Sequence, residues 1–355
     1  MKNAKRYLAV VLSFALFCAL PLAFTQEAAA ASKTKIKQVS QVTTTYTGTD
    51  ENGQPFTSTS VAAYKYNKKG LNSSIVYQDG SRDHFKYDKS GRLSSETNYS
   101  NTGAVEYEVV YNLNNGKVAV KNDYEFTEKG SAKLTGKTEY TYTKKKGRLK
   151  QKAFTPGNYL SPAGVTTYKK GVPVKYVYTT SEEHFVRTFD SNGNIASETI
   201  TTADGGKTIT DKYSYNNTYK KGKLSRVEVT YATDNGKVTY SGVYTYKYKN
   251  GRLTKATYTG KTKDKKTKKW DTYSTVTKYT YTKAGLIKTI SDTSVSTDAN
   301  GTSSSSSYVT SIKYKKVDVK SKYAGAVKDR MSYYKDSDNF REGFSDFADY
   351  MRYVY

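Results

Sequence analysis

Cysteine is all but missing from these 355 residues, and the single one, Cys18, lies in the N-terminal apolar run. Beyond that run the chain can build neither a disulfide nor a thiolate metal site. Histidine is nearly as scarce. His84 and His184 are the only two; each is followed by Phe and stands shortly before a turn. With no cysteine and no local carboxylate cluster to complete a ligand set, they read as one repeat position copied twice rather than a metal or proton-transfer pair. No GxSxG, HExxH or P-loop spacing occurs. Asp88, Asp190 and Glu198 sit at repeat positions that turn chemistry accounts for. No catalytic residue, no metal site and no cofactor is expected.

Aliphatic residues are also few. Hydrophobic residues make up 36% of the chain, while tyrosine alone fills 36 positions, so any core must be built largely from amphipathic rings. Acidic residues are outnumbered 32 to 58, which leaves a net charge of +26. Only ten of the 58 cations are arginine. A lysine-dominated surface attracts polyanions diffusely and lacks the bidentate fork of specific base or phosphate recognition. No specific nucleic-acid partner is expected.

The N-terminus carries Lys2, Lys5 and Arg6, then an apolar segment over 7–24, then a run of four alanines ending at Ala31. This pattern predicts a secretory signal peptide over 1–31. Pro21 and the alanine-rich end favour cleavage over retention as a membrane anchor. Residues 32–60 read as an extended segment that pairs weakly.

From Val61 onward a frame recurs: aromatic residue, polar turn, glycine, basic residue, aliphatic residue. Phe85-Lys86-Tyr87-Asp88-Lys89-Ser90-Gly91-Arg92-Leu93 is its clearest copy, and Phe189-Asp190-Ser191-Asn192-Gly193-Asn194-Ile195 is the next. Turn glycines at 70, 80, 91, 103 and 116 leave no room for crossover helices, and the residues between them alternate with period two. The chain must therefore meander, with about twenty antiparallel strands over 61–320. Pro156, Pro162 and Pro173 mark the place where the sheet is expected to break. The tail over 321–355 reads as helical. Phe340, Phe344, Phe347 and Met351 predict a helix near 339–352, and Val327, Met331 and Tyr334 mark a shorter one before it.

Tyr87-Asp88-Lys89-Ser90-Gly91-Arg92-Leu93 resembles the YD repeat of the RHS family. That resemblance implies long sheets of hairpins that wind into a hollow shell. The fold expected is thus all-β: one long antiparallel meander of Tyr/Gly hairpins, curled into an open spiral or incomplete barrel, with a short C-terminal helix. The function expected is that of a secreted, non-catalytic protein, free or cell-surface associated, which binds an anionic or glycan polymer of a cell envelope. The candidate contacts are Tyr219, Tyr248, Lys265, Lys266, Lys268, Lys269 and Trp270, aromatics and lysines grouped at Lys-rich turns. An RHS-like shell or scaffold for a protein partner is the second reading, and a polysaccharide-active enzyme the third. A transmembrane barrel comes last, because a lipid-facing wall needs more aliphatic residues than a mean hydropathy of −0.77 provides.

Overall fold

The computed structural model describes residues 32–333, apart from 50–52, 145–146, 158–161, 205–206, 234–235, 237 and 265–266. The expected signal peptide and the helix expected near 339–352 lie outside the described residues.

Twenty strands follow one another: β1 (Lys33–Thr49), β2 (Pro55–Tyr66), β3 (Asn72–Tyr77), β4 (Arg82–Tyr87), β5 (Leu93–Tyr99), β6 (Val105–Asn114), β7 (Lys117–Phe126), β8 (Ala132–Tyr142), β9 (Leu149–Pro156) and β10 (Gly164–Lys169). Then come β11 (Val172–Thr179), β12 (Glu183–Phe189), β13 (Ile195–Asp204), β14 (Lys207–Lys220), β15 (Lys223–Ala232), β16 (Val238–Lys249), β17 (Arg252–Lys263), β18 (Trp270–Tyr281), β19 (Ile287–Thr297) and β20 (Ser303–Lys320). A single turn of 3-10 helix, Ser321–Tyr323, leads into α1 (Ala324–Tyr333).

Each strand pairs antiparallel with its predecessor, as the turn spacing requires, and β20 then pairs with β1 from Lys33↔Lys320 to Thr47↔Ser307. That last pairing closes the sheet into a barrel. It corrects the expectation of an open spiral or incomplete barrel. It also shows why residues 32–60 are no loose entry segment: β1 is hydrogen-bonded on both edges, to β2 and to β20. A bulge between Val39 and Gln41 breaks its period-two alternation, so the pattern that marks the other strands is scrambled there. The sheet does not break at the prolines either. Phe154 of β9 faces Gly164 of β10, and Pro173 falls at a register shift, where its missing N–H is tolerated.

Alternate turns lie at opposite ends of the barrel. One end, here the terminal end, holds the start of β1, the finish of β20 and α1. Every hairpin that turns there carries a bulge just before its turn, at Tyr66, Tyr87, Leu113, Tyr142, Tyr168, Phe189, Tyr219, Tyr248 or Tyr281. The turn at Asp88 shows the local cause. Gly91 N–H donates to the Asp88 carbonyl, Asp88 Oδ1 accepts from the Ser90 and Arg92 N–H groups, and Gly91 takes φ +82°. Asp190 repeats the arrangement with Asn192, Gly193 and Asn194. Tyrosines at this end reach back to the preceding hairpin. Tyr142 donates its hydroxyl to the Val118 carbonyl at 2.9 Å, Tyr281 to that of Leu253 at 2.5 Å and Tyr314 to that of Ile287 at 2.6 Å. The repeat is thus a lock between adjacent hairpins as well as a turn.

Candidate functional site

Strand register sorts the side chains into two faces. Phe85, Glu96, Val109, Asp123 and Gly136 lie directly opposite one another across β4 to β8 and so share a face. Phe85, Glu96, Val109 and Asp123 are 3, 4, 0 and 8% exposed. The convex wall of a closed barrel has nothing outside to bury it, so this face is the interior. The tyrosines follow it. Tyr46 and Tyr308, Tyr213 and Tyr231, and Tyr244 and Tyr258 are register partners with ring centroids 4.6 Å apart, and Tyr178 stacks on Phe185 at 5.0 Å.

Between the rings the interior carries charge. Asp83, Glu96, Asp123, Glu183, Glu198, Asp211 and Asp292 share the inward face with Lys121, Lys152 and Arg187, so acids predominate. Most of these acids are held by a tyrosine. Tyr77 donates to Asp83, Tyr107 to Asp123 at 2.6 Å, Tyr178 to Glu183, Tyr215 to Glu198 at 2.7 Å and Tyr231 to Asp211 at 2.7 Å. Asn98 adds a bond to Asp83 at 2.8 Å, and Lys121 pairs with Asp123 at 3.0 Å. Burial, then the neighbouring charges of Asp83 and Asp123, hold the Glu96 carboxyl well above the usual range, against the pull of Lys121. Arg187 donates from Nε to Glu198 Oε1 at 2.6 Å and lies over the Phe185 ring. Burial and the bond to Asp211 push the Tyr231 hydroxyl up to about 12.

At the end opposite α1 the interior opens into a cavity of about 470 Å³, lined by Pro162, Tyr178, Thr180, Glu182, Glu183, Thr202 and Ala203. Two glutamates and the Tyr178 ring, stacked on Phe185, give it an acidic, aromatic lining. Among the described residues no group of three or more histidines, cysteines or carboxylates could hold a metal ion. His84 and His184 lie on the outward face, where His184 bonds Thr179 at 2.8 Å.

The outward face is a different material. Lys255, Lys278, Ser291 and Val309 form one row across β17 to β20; Thr257, Val276, Thr293 and Ser307 form the next. Valines there stand among lysine, threonine and serine; the longest apolar row joins Ala153, Val165, Val177 and Val186 across β9 to β12.

The contacts proposed from sequence do not form one site. Tyr219 and Tyr248 stand beside turns at the terminal end, whereas Lys268, Lys269 and Trp270 belong to the β17–β18 hairpin at the other. Lys265 and Lys266 lie outside the described residues. Tyr219 bonds Asp190 and accepts from Asn194 at 2.7 Å; burial and the Asp190 bond push its hydroxyl up to about 12. Lys223 lies over the half-buried Tyr248 ring, and Lys261 and Lys263 lie over Trp270 at 4.7 and 5.8 Å. The rings that were to form a polymer platform are turned inward or covered by the chain's own cations. The reading as a secreted protein that grips an anionic or glycan polymer is corrected accordingly, and so is the open shell or scaffold. The inward acids were missed because each was read alone. Their phase with apolar neighbours, Asp83 with Phe85 and Glu183 with Phe185, was the available signal.

No known protein family and no curated protein matches the sequence. The RHS-type YD resemblance is therefore corrected on two counts: no family relationship is found, and the sheet is closed. Among solved structures the chain is similar to a porin-like protein from Bacteroides uniformis ATCC 8492, with 10% identity and a TM-score of 0.34 over 78% of this chain and 96% of that one. It is likewise similar to a mutant of the Rh. blastica porin, with 8% identity and a TM-score of 0.33 over 78% of this chain and all of that one. At such scores neither the fold nor a role is inferred from these proteins; the closure seen at β1–β20 stands on its own hydrogen bonds.

Proposed function

We propose that this protein is a non-catalytic solute-binding barrel, water-facing on its outside, that takes up a cationic organic solute in its aromatic and acidic interior. The observation that carries the proposal is the sorting of side chains by face. Carboxylates and tyrosine rings predominate inside; lysines predominate outside, beside Glu108, Glu139 and Glu228, while threonine and serine stand on both faces. Tyrosine faces and carboxylates together attract ammonium groups, most strongly where water is excluded. The cavity beside Glu182 and Glu183 supplies a mouth of the same character. The non-catalytic reading draws support from the tyrosine bonds that already engage the inward carboxylates.

A closed barrel of this strand number also suggests a membrane-spanning pore. The outward rows of lysine, serine and threonine speak against it, because a lipid-facing wall needs a continuous apolar band between aromatic girdles. The test is calorimetry of the protein with spermidine, choline, a neutral disaccharide and inorganic phosphate, alongside conductance across planar bilayers. Binding confined to the two amines, with no conductance, is expected. Binding of none of the four would remove the proposal, and single-channel conductance would replace it with the pore.

A further inference from the structure

The meander sorts charge by end, which no linear reading displays. Odd-numbered and even-numbered turns alternate along the sequence, so each end of the barrel collects every second turn. The turns at the terminal end are basic. Lys89, Lys144, Lys170, Lys221, Lys249 and Lys283 stand exposed at or beside six of the nine turns there. Among the described residues of those turns the acids are Asp88 and Asp190. The first is consumed by its own turn and by Arg92, the second by its turn and Tyr219. Among the described residues, turns at the other end carry Asp79, Glu128, Glu182, Asp264 and Asp298 against Lys129, Lys268 and Lys269.

The basic rim is also held in place. The Arg92 guanidinium lies over Gly116 of the next turn at that end, Lys117 donates to the Gly147 carbonyl at 2.5 Å, and the Arg252 guanidinium lies over Gly285. Each post-turn cation thus reaches the neighbouring turn, and the tip lysines ride on a fixed ring. Twenty strands about 4.8 Å apart give that ring a circumference on the order of 100 Å. Its charge is spread around a circle rather than along a groove. A flat, extended anionic surface can meet many of its lysines at once, and a single strand of polymer cannot.

We infer that the terminal-end rim docks the barrel end-on against an anionic phospholipid bilayer, peripherally and by charge, leaving the acidic cavity at the other end facing away from the membrane. Lysines close to such a surface attract it additively, and the attraction fades within a Debye length. Because few apolar side chains share the rim, binding should be reversible by salt.

The test uses vesicles of phosphatidylglycerol and phosphatidylcholine against pure phosphatidylcholine, by co-sedimentation at roughly 0.05 M and roughly 0.5 M salt. Two variants of equal charge are compared with the native chain. The rim variant carries Lys89→Gln, Lys144→Gln, Lys170→Asn, Lys221→Asn, Lys249→Gln and Lys283→Gln, with Asn where the backbone takes a positive φ. The wall variant carries glutamine at Lys137, Lys175, Lys212, Lys247, Lys255 and Lys278, all on the outward face. Expected is binding to anionic vesicles alone, lost at high salt, weakened more than tenfold in the rim variant and less than threefold in the wall variant. Equal weakening would reduce the effect to net charge and overturn the inference, as would absence of native binding at low salt, or protease-protected insertion. Should the sixfold rim variant fail to fold, the triples at Lys89/Lys144/Lys170 and Lys221/Lys249/Lys283 decide: each must weaken binding, and a triple without effect overturns the ring.

Discussion

Tyr46 and Tyr308 face each other across the β1–β20 seam with ring centroids 4.6 Å apart, although 262 positions separate them in the chain. Two residues along, Thr44 and Thr310 share a hydrogen bond of 3.0 Å, and beyond them Val42 meets Ile312, at 1 and 5% exposure. Closing so long a loop costs entropy that grows only slowly with length, and these seam contacts offset it. Val42→Ala should destabilise the chain by about 2 kcal/mol, within the span seen for truncated core aliphatics. Thr43→Ala, on the outward face of the same strand, should stay within about 0.5 kcal/mol. Urea unfolding of both variants checks this; equal, small effects would mean that the seam contributes little.

Glu96 ties stability to pH. Its folded carboxyl titrates above its ordinary value because burial and the charges of Asp83 and Asp123 disfavour ionisation. Between the ordinary and the raised value the folded state holds a proton that the unfolded state has released. Stability must then fall as pH rises from about 4.5 through that window. Asp292, raised by burial, acts in the same direction. Glu96→Gln removes the larger contribution, so the variant should gain on the native chain progressively above pH 4.5. Melting temperatures over a pH series would show it; parallel curves would place Glu96 in a wetter environment than its 4% exposure indicates.

The strands were legible in the sequence because tyrosine alternation and glycine turns are local signals. Closure was not, since it rests on pairing between the two strands whose alternation is least clean. β1 is interrupted by its bulge at Val39, and the inward face of β20 passes from Tyr314, Ile312 and Thr310 to Val319 over one strand. Whether twenty strands end open or closed is a matter of accumulated twist and stagger, which no single repeat encodes. The inside–outside sorting was half legible. Tyr244, Tyr246 and Tyr248 announce a shared face, but the acids that share such faces, Glu198 above all, look like turn residues until register places Glu198 opposite Arg187 and Tyr213. The candidate contacts are divided between the two ends for a related reason: proximity in sequence to lysine-rich turns does not reveal which end a turn occupies.

Arg187 and Glu198 form a buried ion pair that Tyr215 completes through Glu198 Oε2. Removing one partner leaves the other charge in the interior, so Arg187→Met should cost about 3–5 kcal/mol. Replacing both, Arg187→Met with Glu198→Leu, should recover most of that loss, because the desolvation cost disappears with the charges. Tyr215→Phe removes a single hydrogen bond to a charged group and should cost about 1.5–3 kcal/mol. A double-mutant cycle by urea unfolding measures the coupling. A double variant as unstable as the arginine variant would show that the site cannot repack around apolar side chains.

Gly91 and Gly103 separate backbone strain from packing. Both hold positive φ, +82° and +89°, where an alanine is strained whatever surrounds it. Nothing lies within 4 Å of a Cβ at Gly103, whereas one at Gly91 would stand 2.5 Å from the Tyr323 ring, at the entry to α1. Tyr323 is 2% exposed, with Val327 and Met331 of α1 buried in the same core. Gly103→Ala should therefore cost about 1 kcal/mol and leave α1 untouched. Gly91→Ala should cost more, and the excess should appear as faster amide exchange over 324–333, where the helix is levered off the turn. Equal exchange in the two variants would mean that Tyr323 moves aside freely and that α1 is held by β1 and β20 alone.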